Sequence, residues 1–189
     1  MRLFVGIGLP ALVSETLASH VSAQRKSLPA AKWVRVDALH LTLCFLGETE
    51  EAAIPSLDRC LSRGLVGQPR FDLRLAQAGC FPNAKAAVRI LWVGVENPEP
   101  VVDLQQRVSA SLVNERFVAP EDRPYHPHVT IGRCKRPWTR AAGERWEASL
   151  RGPLGSSFKV DEVVLFRSRL DRDGARYDRL GRFGLGESH

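Results

Sequence analysis

Two short stretches of this 189-residue chain put side chains capable of acid–base chemistry at matching intervals: His40-Leu41-Thr42-Leu43 and His128-Val129-Thr130-Ile131. On an extended strand, residues two apart project to one face, so each stretch sets an imidazole beside a hydroxyl and turns its aliphatic residues the other way. An imidazole titrates near neutrality and serves as a general base or, once protonated, as a general acid. Two of them facing across a groove are enough to take a proton from water at one side of a phosphodiester and give one to the departing oxygen at the other. The Thr42 and Thr130 hydroxyls can donate to the non-bridging phosphate oxygens where negative charge gathers, with Arg133 beside them. The scheme needs no metal and no other cofactor. A single strand histidine followed by threonine would ordinarily be a half-buried sheet residue. Repetition of the whole pattern, in a chain with only five histidines, argues for chemistry instead.

The remaining histidines separate from this pair. His126-Pro127-His128 has a spacing that zinc sites use, but no cysteine or carboxylate clusters near it and Pro127 disturbs the pleat, so His126 is expected to line the groove. His20 falls in a helical stretch and His189 at the end of the sequence, and both are expected to be solvated.

The elements that must hold the motifs follow from periodicity. Leu3–Ile7 reads as a strand, and residues 11 to 27 as a helix with Leu12, Leu17 and Val21 on one side. Strands follow at 33–36 and 40–46, the latter carrying the first motif. A helix is expected over 50–66, strands at 71–75 and 88–95, a helix bearing Val101, Leu104, Val108 and Leu112, the second motif strand, and a helix over 138–150. Two closing strands are expected at 158–166 and 175–177, with a turn at Asp171-Arg172-Asp173-Gly174 between them. This order implies an α+β fold with antiparallel strands covered by helices, not a doubly wound parallel sheet. Strand, helix and motif strand recur with the histidines 88 residues apart (128 minus 40), as two similar lobes would have them.

Composition narrows the partners. The 27 Lys and Arg outnumber the 21 Asp and Glu for a net charge of +6, which favours polyanions over metal cations. No apolar run reaches the roughly 20 residues that cross a bilayer, and no leader pattern opens the chain, so a cytoplasmic protein is expected. Cys44, Cys60, Cys80 and Cys134 are scattered, as reduced and mostly buried thiols are.

Several segments together resemble a known family. Trp33-Val34-Arg35, Leu39 through Leu43, Phe45-Leu46-Gly47-Glu48, Gly79 through Asn83, Leu91 through Val95, Arg123-Pro124-Tyr125, Pro127 through Ile131 and Leu165 through Leu170 fall in the order seen in bacterial and archaeal RNA 2′,3′-cyclic phosphodiesterases, also called 2′-5′ RNA ligases. The resemblance covers nearly the whole chain. It implies a single two-lobed domain over residues 1–189, each lobe an antiparallel sheet with helices on its outer face, around a central active-site cleft. It further implies hydrolysis of RNA 2′,3′-cyclic phosphate ends to 2′-phosphomonoesters, with tRNA halves among the substrates and 2′-5′ ligation as a further activity. By the same resemblance His128 accepts a proton from water and His40 donates one to the 3′ oxygen. Two positions depart from the family pattern: Cys44 where a basic residue is frequent, and His126 where arginine is.

Tyr125, Phe45 and Trp33 are aromatic residues able to stack a terminal base, with Tyr125 and Phe45 assigned to substrate. Arg167 and Arg169 can track RNA phosphates or solvate an edge strand, the latter expected of Arg169. A monomer is expected. Two other functions fit the residues: a phosphodiesterase for small cyclic phosphates, and an RNA-end-binding module without turnover.

Overall fold

The computed structural model describes residues 1–83, 87–171 and 174–186; Arg172 and Asp173 of the expected turn, and His189, lie outside them. The described residues form nine strands: β1 (Arg2–Gly8), β2 (Ala31–Trp33), β3 (His40–Glu48), β4 (Phe71–Phe81), β5 (Val88–Val95), β6 (Val129–Trp138), β7 (Pro153–Val160), β8 (Glu162–Asp171) and β9 (Gly174–Gly184). Four α-helices accompany them: α1 (Ala11–Gln24), α2 (Ile54–Gly64), α3 (Glu99–Asn114) and α4 (Arg140–Ala148). Prolines mark the helix starts, Pro10 before α1 and Pro55 and Pro100 in the first turns of α2 and α3, where a missing N–H costs nothing. Thr139 caps α4 by accepting from the Ala142 amide.

All the strand pairs are antiparallel, and the order is β7-β4-β5-β6-β3-β1-β8-β9, with β2 added on β6. The sheet has two halves, β7-β4-β5-β6 and β3-β1-β8-β9, and they join through one residue pair, Leu41 opposite Val129. Helices α1 and α4 cover the first half, against β7 and β4, while α2 and α3 cover the second, against β9 and β3. Helix α1 leaves β1 in one half and packs on the other, and α3 does the reverse after β5. This exchange is the structural form of the repeat seen in element order, and it makes the fold α+β with two matching halves.

One continuous core fills the helix side, where Leu3, Val5 and Ile7 of β1 alternate inward. Phe4 points to the opposite face and founds a second cluster with Val164, Phe166 and Tyr177. Glycine at position 6 is required by this packing. A Cβ there would stand 2.7 Å from the Leu41 carbonyl oxygen, so only glycine lets β1 lie this close to the first motif.

Some expected elements differ. The strand expected at 33–36 is 31–33, and Val36–Ala38 forms a 3₁₀ turn that swings the chain into β3. The stretch 158–166 is not one strand. The chain breaks at Asp161, whose carbonyl accepts from the Leu185 amide at 2.7 Å, and passes from β7 at one sheet edge to β8 in the other half. Val163 through Phe166 are all buried because β8 is covered on both faces, so the alternation that would have marked a new strand is missing.

Candidate active site

The two motifs meet where the sheet halves join. Leu41 and Val129 are fully buried opposite each other, with Leu43 and Ile131 beside them in the core. Extending that antiparallel register by one residue each way sets His40 opposite Thr130 and Thr42 opposite His128. The four groups flank that pair on the face turned away from the core.

Each imidazole is fixed the same way. His40 Nδ1 lies 2.8 Å from the Ala38 carbonyl oxygen and His128 Nδ1 lies 2.7 Å from that of His126, in both cases two residues back. A carbonyl can only accept, so Nδ1 carries the proton in both rings. Nε2 is then the atom left for chemistry, an acceptor when the ring is neutral and a donor when it is charged.

Aromatic walls hold the rings. Phe4 and Tyr177 flank His40 at centroid distances of 4.6 and 4.7 Å, the tyrosine edge-on. Phe81 meets His128 edge-on at 5.1 Å, and Trp92 packs on His126 at 4.6 Å. Trp92 reaches that position only because positions 79 and 94 are glycine: a Cβ on Gly79 would stand 2.1 Å from its ring. Periodicity alone did not single out Phe4, Phe81, Trp92 or Tyr177 as site residues. Phe81 and Trp92 fall in family-like segments, but their place in the site needs the strand pairing: Phe4 and Trp92 lie on strands next to a motif strand, and Phe81 and Tyr177 on strands further out.

Burial lowers the His40 pKa, partly countered by the Ala38 carbonyl and reinforced by His128. Burial likewise lowers that of His128, the His126 carbonyl opposing and the charges of His126 and Arg133 adding to the drop. Arg133 also acts on the Tyr177 hydroxyl, so its charge is felt on both sides of the cleft.

The other expected site residues divide. Phe45 is 70% exposed with its ring 6.1 Å from Phe4, on the face that carries His40. Tyr125 donates its hydroxyl to the Thr42 carbonyl at 2.7 Å and packs against the main core, tying the segment before His128 to β3. Burial raises its hydroxyl pKa. Trp33 packs on Trp138 and Trp146, with the Arg25 guanidinium 5.1 Å over its ring. Arg167 and Arg169 both pair with Asp178 across the β8–β9 hairpin. Burial pushes the Cys44 thiol up to about 11, so this position adds no charge to the cleft. His20, expected to be solvated, is instead half-buried against Trp146, with Nε2 3.4 Å from the Ser149 hydroxyl, because α1 crosses to the other half of the sheet. His126 and His128 rings are 6.2 Å apart, and among the described residues no third His, Cys, Asp or Glu joins them in a group that could hold a metal ion.

Residues 13–172 match the model of the 2′-5′ RNA ligase superfamily. The chain is similar to the RNA 2′,3′-cyclic phosphodiesterase of Methanothermobacter thermautotrophicus, 34% identical over 189 residues that cover 98% of this chain and 99% of that protein. Among solved structures it is similar to TT0787 of Thermus thermophilus, with a TM-score of 0.79, 31% identity and full coverage of both chains. It is also similar to E. coli LigT complexed with 3′-AMP, with a TM-score of 0.75 and 30% identity over 98% of each chain.

Proposed function

The chain belongs to the 2′-5′ RNA ligase superfamily, and on that premise we propose that it opens RNA 2′,3′-cyclic phosphate ends, tRNA halves among them, to 2′-phosphomonoesters. The observation that carries the reading is the pair of mirror-image imidazoles, each with Nδ1 committed to a carbonyl two residues back and Nε2 left for the substrate. Thr42 and Thr130 supply hydroxyls to the non-bridging oxygens, and Arg133 stabilises the charge that develops on them. Water attacks phosphorus as His128 takes its proton; the bond from phosphorus to the 3′ oxygen breaks as His40 protonates that oxygen. Burial holds His128 toward the neutral form that a general base requires, with the charges of His126 and Arg133 adding to it, while the division of roles itself follows the family resemblance. With a 5′-hydroxyl attacking phosphorus in place of water, the same proton transfers would form a 2′-5′ linkage as the bond to the 3′ oxygen breaks. Phe45, exposed at the cleft rim, offers a face for an RNA base.

The direct test is product analysis on an oligomer ending in a 2′,3′-cyclic phosphate, incubated in EDTA. A 2′-phosphate end is expected. A 3′-phosphate would reverse the leaving group, and no product at all would sink the proposal.

A further inference from the structure

Strand β2 lies along β6 beyond the second motif, and its pairing sets Lys32 directly opposite Arg133. The next pair, Trp33 and Gly132, faces the core: Trp33 packs against it, and a Cβ on Gly132 would stand 3.1 Å from the Trp33 ring. Lys32 and Arg133 therefore share the other face, and both are exposed. Strand β5 gives the same orientation, since Trp92 opposite Thr130 and Ile90 opposite Arg133 are two residues apart. The two cations thus lie on the face that carries the motif side chains.

Directly opposite residues on paired strands have Cβ atoms about 4.5–5.5 Å apart, and like charges so placed repel each other. A carboxylate between them would relieve the repulsion, yet among the described residues neither Lys32 nor Arg133 makes a hydrogen bond or an ion pair. The arginines of the β8–β9 hairpin differ. Arg167 and Arg169 are held by Asp178, and Arg179 and Arg182 by Glu162. Stability of the fold gives no reason to set Lys32 against Arg133, whereas an anion from outside the chain would offset both charges.

Their position indicates which anion. Because β6 runs antiparallel to β3, the residues past Thr130 run back toward those that precede His40, so Arg133 and Lys32 stand at the His40 end of the cleft. Arg133 acts on Tyr177, whose ring is 4.7 Å from that of His40. The Lys32 Cε would lie 4.0 Å from a Cβ on Gly174, the first residue of β9, so the lysine reaches from one sheet half to the other. Under the proposed function His40 protonates the 3′ oxygen of the terminal nucleoside, and the attacking oxygen enters beside His128. The nucleoside at the His40 end is then the last of the RNA, and its next negative charge is the phosphate on its 5′ oxygen. Arg133 is engaged by the scissile phosphate, which leaves Lys32 for the second one.

We propose that Lys32, backed by Arg133, binds the phosphate on the 5′ side of the terminal nucleoside, so that the upstream strand leaves the cleft over β2 and not over the β8–β9 hairpin. The inference rests on the proposed function. Such a contact favours an RNA end over a free cyclic mononucleotide without reading sequence.

The test compares adenosine 2′,3′-cyclic phosphate bearing a 5′-hydroxyl with the same compound bearing a 5′-phosphate. Turnover is measured at low and high salt for the wild type, Lys32→Gln, Lys32→Arg and Arg169→Gln. In parallel, equilibrium binding is measured for adenosine 2′-phosphate and adenosine 2′,5′-bisphosphate. The expected result is a KM about three- to fivefold lower for the 5′-phosphorylated substrate with similar kcat, fading as salt rises, as one exposed ionic contact would give. Lys32→Gln should bring that ratio to one without changing turnover of the 5′-hydroxyl substrate, while Lys32→Arg and Arg169→Gln should keep it. A ratio of one in the wild type, an unchanged ratio in Lys32→Gln, or an equal loss in Arg169→Gln overturns the site. Absence of turnover together with tighter bisphosphate binding that Lys32→Gln abolishes would instead retain the site and reject the hydrolytic function.

Discussion

An imidazole in water is about half charged near pH 6.5, and burial moves both His40 and His128 toward the neutral form. A reaction that needs one neutral and one protonated ring is limited at low pH by the base and at higher pH by the acid. With both pKa values lowered, the acid limb lies below the ordinary value. The kcat/KM profile of the free enzyme is therefore expected to be a bell centred on the acidic side of pH 6.5 and falling through neutrality, measured on a cyclic-ended oligomer. A bound phosphate anion raises both pKa values, so the kcat optimum should sit at higher pH than that of kcat/KM. A kcat/KM that rises steadily from pH 6 to 8 would contradict this arrangement. Replacing either histidine by alanine should lower kcat about 10²–10⁴-fold, the usual contribution of a general acid or base. Thr42→Ala or Thr130→Ala should lower it less, and retention of near wild-type turnover in His40→Ala would remove this histidine from the mechanism.

At the level of elements, the site depends on one thin connection. Among the described residues the sheet halves share only the Leu41–Val129 pair, so other contacts must fix the angle between the motif strands. Tyr125 is one of them: it leaves the segment before His128 and donates to the carbonyl of Thr42, joining the second motif to the backbone of the first. Tyr125→Phe keeps the ring and removes that bond. It should cost about 1 kcal/mol of stability by chemical denaturation, as a typical hydrogen bond does. It should also lower kcat more than it raises KM, because the acid and base lose their mutual placement rather than their contact with substrate. A pure stability loss with unchanged kcat would make Tyr125 a packing residue only.

For the whole molecule, the same buried histidines set a stability trend. Each has a folded-state pKa below the 6.5 it has when free, so below that pH the unfolded chain binds more protons than the folded one. Stability is full above pH 6.5 and declines as pH falls through that value. The expected observation is a thermal midpoint that drops between pH 7 and pH 5.5 and drops less in a His40→Gln, His128→Gln double variant. A midpoint indifferent to pH in that window would show that the rings are not desolvated. The net charge of +6 acts at this scale too, drawing a polyanion toward a cleft in which Arg133 is felt on both sides.

The motifs themselves were legible in the sequence because a strand is a local structure. The alternation of polar and aliphatic residues fixes which side chains share a face, so His40 with Thr42 and His128 with Thr130 needed no tertiary information. The covered runs were harder: β8 is buried on both faces and lost its period, which hid the break at Asp161, and α1 crosses between halves, which buried His20. Nothing local could tell that Phe4, Trp92 and Tyr177 would wall the imidazoles or that Tyr125 would spend its hydroxyl on a carbonyl 83 residues away. Residue types and spacing thus determined which groups could act on a phosphate. The pairing of distant strands decided how far apart they stand, which nitrogen each presents and what lies beside them, because those quantities depend on contacts between segments that the chain keeps far apart.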